Sequence, residues 1–171
     1  MSLARLRAGE WLALAGAAGL FVALFLDWFG LDPEAFRGVL PKAIAEAIAR
    51  DGWTSLGWFL VAMLVVCIGL ALWLAIATAA APESQSVAAA VLTSVAAPIT
   101  FLVLLVRVVT QPDLGAGAPN AIVDVRAGAY LGLLAMLALT AGAWWALHDE
   151  RTDASHSAYE PPAPRSAQPT A

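Results

Sequence analysis

Apolar positions in this chain do not alternate with polar ones. They gather in four long runs, over residues 10–27, 55–80, 86–109 and 127–147. Each run is at or near the ~20 residues a helix needs to cross ~30 Å of hydrocarbon. The pattern predicts an all-α fold: a polytopic membrane protein with four transmembrane helices in an antiparallel bundle over residues 1–148. In the first run Trp11 and Trp28 stand about 25 Å apart along a helix, near the spacing of the two aromatic belts of a bilayer. Ala15, Gly19 and Ala23 recur every fourth residue, a small-residue stripe that lets helix backbones approach closely. Arg5 and Arg7 ahead of this run resemble the start of a signal peptide. The run is long for one and has no small-x-small site after it, so a retained first helix is expected.

The connections carry their own signals. Asp32-Pro33 reads as an N-cap followed by proline at the first helical position, and Gly38 would end that turn. Residues 41–50 read as an amphipathic helix, with Leu40, Ile44, Ala47 and Ile48 on one face and Lys42, Glu46 and Arg50 on the other. Asp51-Gly52 would stop it. Such a helix either lies on the membrane surface, apolar face down, or packs across the mouth of the bundle. Trp53 and Trp58 mark the first boundary of the second run, and Trp73 the other. The short turn at residues 82–85 sets runs two and three side by side in opposite directions. Pro98, mid-way along run three, predicts a kink. Thr93, Ser94 and Thr100 are placed to satisfy the backbone groups it frees, and the kink is either a packing feature or a hinge. Residues 111–126 form a Gly/Pro-containing loop without the Lys-Ser/Thr of a phosphate loop. Run four opens with Gly128-x-x-x-Gly132, a close-packing signal that serves either a helix of the same chain or a second copy. Trp144 and Trp145 close the run. Beyond residue 148 the chain is polar and rich in Pro, Ser and Ala, the composition of a disordered tail over 149–171.

Composition agrees with a lipid environment. Hydrophobic residues make up 61% and charged residues 13%, with a mean hydropathy of +0.77, against about 25% charged in soluble domains. The net charge of −4 and the lack of a Lys/Arg cluster predict no nucleic-acid partner. Cys67 is the single cysteine, expected to behave as a small hydrophobe within run two. Four spans put both termini on one side. Arg5, Arg7 and Arg151 flank the outer ends of the first and last spans, and this favours cytoplasmic termini.

Charges at mid-membrane depth default to functional candidates, and these runs hold essentially none, which argues against a proton relay or a charge-coordinating transporter. The ionisable residues collect at one end instead. Asp27 closes run one, Arg107 closes run three, and Asp124 and Arg126 open run four. They are the candidate polar mouth, in which Asp27–Arg107 or Asp124–Arg107 could pair across helices; the alternative is that each simply marks a helix end among the headgroups. Gly128, Gly132, Ala15 and Gly19 are the candidate packing positions and Pro98 the candidate hinge. His148 and His156 make no convincing metal site, Glu10 suits a helix N-terminus, and no hydrolase signature is present. No catalytic residue and no cofactor is expected.

Two stretches carry a resemblance. One is Arg7-Ala8-Gly9-Glu10-Trp11 continuing to Leu24-Phe25-Leu26-Asp27-Trp28-Phe29. The other is Gly128-Ala129-Tyr130-Leu131-Gly132-Leu133-Leu134 continuing to Gly142-Ala143-Trp144-Trp145-Ala146-Leu147-His148-Asp149-Glu150-Arg151. Together they resemble small four-helix membrane proteins of unassigned function encoded in high-GC actinobacterial genomes. The resemblance implies four spans and a bacterial inner membrane, and brings no activity. The expected role is a non-enzymatic scaffold or interaction protein acting through lipid or helix contacts, able to self-associate through Gly128 and Gly132. The alternative is a small transporter or channel component using Pro98 and the Asp/Arg mouth.

Overall fold

A computed structural model of the chain describes residues 6–32, 49–80, 83–111 and 123–152, with side chains left out at 83–85 and 149–152. The chain order is α1 (Ala8–Ala23), β1 (Asp27–Leu31), β2 (Ala49–Asp51), α2 (Gly52–Ser55), α3 (Trp58–Ala80), α4 (Glu83–Thr110), β3 (Val123–Val125) and α5 (Ala127–Thr152). The protein is mostly helical, and α3, α4 and α5 contain stretches long and apolar enough to cross a membrane.

Helix α1 starts where the Glu10 carboxylate accepts a hydrogen bond from the backbone N–H of Arg7 at 2.8 Å, the contact a third-position glutamate makes back to the N-cap at a helix start. It ends earlier than its apolar run. Leu24 N–H still reaches the carbonyl of Leu20, but those of Phe25 and Leu26 bond only three residues back, to Val22 and Ala23. The turn tightens and Asp27 enters a strand. The first helix is therefore 16 residues long, about 24 Å, rather than a span over 10–27.

The all-α expectation is corrected by a three-stranded antiparallel sheet of order β2-β1-β3. Gly30 lies opposite Ala49 on one side and Asp124 on the other, and Phe29 lies between Arg50 and Val125. The register shifts between Asp27 and Phe29, so Trp28 is the extra residue of a bulge, which redirects a side chain. Its indole is fully buried and donates from Nε1 to the carbonyl of Ala23 at 2.7 Å, closing the end of α1. Trp28 is thus a core residue, not the boundary marker its position suggested. Of the proposed amphipathic helix, 41–48 lie outside the described residues, as do Pro33 and Gly38, while Ala49 and Arg50 are strand. Asp51 caps a helix rather than stopping one. Its Oδ1 accepts from the N–H and the hydroxyl of Thr54 at 2.9 and 2.7 Å. Run two begins its long helix at Trp58, after Gly57 turns the chain at φ +77, a backbone conformation that glycine adopts without steric cost. Residues 112–122 and 153–171 lie outside the described residues, but α5 runs to Thr152, past the boundary expected at residue 148.

Helix α1 packs most closely on α5, α5 on α4, α4 on α3, and α3 back on α1. The α1/α5 contact rests on glycines. A Cβ on Gly9 would lie 2.6 Å from the amide nitrogen of Ala146, one on Gly16 would overlap the backbone of Leu139, and one on Gly142 that of Ala13. As α1 advances its contacts on α5 retreat, so these two helices run in opposite directions. The main core lies toward the sheet and includes Leu20, Leu24, Phe29, Leu64, Leu104 and Met136. A smaller cluster of Leu74, Ala77, Ala89, Ala90 and Ala146 closes the far end.

Helix α4 runs through Pro98 without interruption. Pro98 has no N–H for the Ser94 carbonyl, and the nearby hydroxyls do not replace it. Thr93 donates to Ala89, Ser94 to Val91 and Thr100 to Ala96, each bonding a carbonyl of the preceding turn. Cys67 is buried on α3 and donates from Sγ to the Thr100 hydroxyl at 3.3 Å, tying α3 to α4.

Candidate functional site at the sheet end

The sheet lies where α1 and α4 end and α3 and α5 begin, because each strand is joined directly to one of these helix ends or follows it through a loop. This topology brings Asp27, Arg107, Asp124 and Arg126 to one end of the helices. It does not bring them into contact. Among the described residues no ion pair joins Asp27 or Asp124 to either arginine, so neither of the two candidate pairs is formed there. The sheet explains this. Asp124 is exposed on the β3 edge. Asp27 is exposed and faces Asp51 across the strand pair. Arg107 reaches instead toward the β2 side, where Nη2 donates to the carbonyl of Ser55 at 3.3 Å.

Arg126 is placed by its backbone N–H, which donates to the carbonyl of Trp28 at 2.8 Å. Its guanidinium lies against Gly30, in the space that a Cβ there would need. Among the described residues, the Nε atoms of Arg107 and Arg126 are buried without a hydrogen-bond partner, and so is Nε1 of Trp53. Trp53 packs edge-on against Phe25, with ring centroids 5.6 Å apart. A buried donor left unpaired costs about 1–3 kcal/mol, so this end holds three donors with unmet capacity for an acceptor such as a phosphate or carboxylate oxygen. From sequence, Gly30 was not singled out, and Trp53 and Ser55 were read only as marking the start of the second run. Gly30 is the residue with a readable signal, a glycine inside an apolar aromatic stretch, which often marks close approach of another group.

The packing candidates divide. Gly128 and Gly132 are buried, and the space a Cβ would need is filled by the Asp27 carbonyl and the Trp28 ring respectively. The partner each of these two glycines meets is the same chain. Ala15 and Gly19 face outward. With Ala18, Val22, Leu134 and Ala138 they line an open apolar groove of about 520 Å³ between α1 and α5. A much closer approach to α5 is made one residue further round from Ala15, at Gly16. Among the described residues no three His, Cys, Asp or Glu side chains gather as a metal-binding group.

No family model matches the chain, and neither does any curated protein or solved structure.

Proposed function

We propose that the protein is a non-enzymatic, four-span protein of a bacterial inner membrane, with α1 as the fourth crossing in an antiparallel bundle and both termini in the cytoplasm. It acts through contacts with lipid and with other membrane proteins. The observation that carries this reading is the outward surface of the three long helices. Only 33%, 39% and 33% of their most apolar stretches are buried within the chain, and the rest exposes large side chains such as Val66, Leu102, Leu134 and Ile76. Monomeric soluble proteins rarely expose contiguous apolar patches beyond a few hundred Å², whereas lipid-facing helices must expose them. Helix α1 is short, but its tight seating on α5 supports counting it with the others. The test is labelling in intact bacterial inner-membrane vesicles, with a single added cysteine at Ser2 or at Ser166. Equal reactivity toward an impermeant maleimide at the two positions is expected. Labelling from opposite faces would end the four-span reading.

A second reading, a mouth for a polar ligand in a transporter or channel component, is favoured by the unpartnered Nε atoms of Arg107 and Arg126. Solute flux through reconstituted vesicles that falls when Pro98→Ala is introduced would select it over the scaffold.

A further inference from the structure

Two opposite charges leave the outward face of the sheet side by side without joining. In the β1/β3 pair, Gly30 stands directly opposite Asp124, and Phe29 opposite Val125. Side chains alternate between the faces along a strand, and directly paired residues share a face. Phe29, Leu31 and Val123 are buried in the core and Val125 packs against it, so Gly30 and Asp124 belong to the face turned away from it. The bulge at Trp28 turns that side chain inward ahead of them. Arg126 continues the ladder through the bond from its N–H to the Trp28 carbonyl, and its side chain returns across the outward face. A Cβ on Gly30 would lie 2.7 Å from Nη2 and 2.8 Å from Cζ of Arg126. Directly paired Cβ positions stand about 5 Å apart, so the guanidinium passes close to the base of Asp124.

Neither charge is used within the described chain. Among the described residues no ion pair or side-chain hydrogen bond reaches the Asp124 carboxylate or the Arg126 guanidinium. Asp124 is exposed. Arg126 is braced over Gly30 with Nε buried, whereas its two Nη groups, bonded to nothing among the described residues, are not enclosed. A fork held in place with its outer donors free suits two oxygens of one phosphate. The carboxylate beside it disfavours a simple anion and suits an ammonium group. The patch also lies at the membrane boundary. β3 is an edge strand, and Arg126 immediately precedes Ala127, where the apolar stretch of α5 begins. Resting on the membrane reading above, we propose that Asp124 and Arg126 seat the phosphoethanolamine headgroup of a membrane lipid. The phosphate lies on the Nη groups of Arg126 and the primary ammonium on the carboxylate of Asp124. A choline headgroup has no N–H to donate to that carboxylate, and a glycerol headgroup brings it no cation.

The experiment places the full chain in mixed micelles of detergent with phosphatidylethanolamine, phosphatidylcholine or phosphatidylglycerol of the same acyl chains, and counts bound lipid by native mass spectrometry. The ethanolamine lipid is expected to be retained about fivefold better than either of the others, the ratio that one exposed charge pair provides. Asp124→Asn should lower its retention to that of the choline lipid, and Arg126→Gln should lower retention of all three. Asp124 is exposed and holds no side-chain bond among the described residues, so Asp124→Asn decides the matter even where Arg126→Gln fails to fold. Equal retention of the three lipids by the parent, or a preference that survives Asp124→Asn, overturns the proposal. Displacement of the lipid by an equal concentration of water-soluble glycerophosphoethanolamine overturns a membrane lipid as the source of the group. Flotation of the parent with vesicles of each lipid is measured alongside. Flotation with equal retention overturns the headgroup seat alone, and no flotation with any of the three overturns the membrane reading as well.

Discussion

Single residues decide how closely the backbones meet. Gly16 and Gly142 lie where any Cβ would overlap the facing helix, whereas Gly69 on α3 has open space around it. Replacing either of the first two by Leu forces α1 and α5 apart. The expected loss is about 1–3 kcal/mol or more, the range for overpacking a tight interface, read as a lower unfolding midpoint in detergent. Gly69→Leu serves as the control and should leave the midpoint within about 0.5 kcal/mol of the parent, the usual range for a surface change. An equal loss in all three variants would refute the close-packed seam. Trp28 shows the same economy of space from the other side. Its ring needs Gly132 beneath it, and its indole N–H occupies the carbonyl with which α1 ends.

At the scale of elements, Pro98 gives the sharpest expectation. Because α4 runs unbroken through it and the neighbouring hydroxyls bond other carbonyls, Pro98→Ala should restore the hydrogen bond to Ser94. Stability is expected to stay level or rise by about 1 kcal/mol, the net value of one such bond. A clear drop in the detergent unfolding midpoint would instead mark the ring as a packing group that alanine cannot replace. The long helices were legible in the sequence because their signal is local: run three, read as 86–109, becomes Glu83–Thr110, and run four starts at Ala127 as read. The sheet was not. Asp27–Leu31 follows directly on an apolar run and shows no alternation of its own, and Val123-Asp124-Val125 shows a period of two over only three residues, too few to weigh against a loop. Ala49–Asp51 continues a pattern that reads as helix. What makes these strands is their pairing with one another, across loops that a local pattern does not describe. The same holds for the candidate site. Sequence collected Asp27, Arg107, Asp124 and Arg126 at one end, but the choice of Ser55 and Gly30 as neighbours of the arginines depends on strand order.

At the scale of the molecule, the closest contacts join the beginning of the chain to its end. Helix α1 sits on α5, and β1 lies between β2 and β3. Residues 1–81 and 82–171 expressed together as separate pieces should therefore co-purify through a tag on either one. Failure to recover the untagged piece from membranes containing both would contradict this long-range pairing. The arrangement also bears on how the protein is made. As the ribosome releases the chain, β1 emerges early, yet one of its two edges must wait for residues 123–125, nearly the last part of the fold to appear. Throughout that delay the nascent polypeptide carries an open β-edge and an unfilled seat for its final helix, so a pause in translation beyond residue 111 would expose it longest to chaperones, to proteases and to pairing with a neighbouring copy.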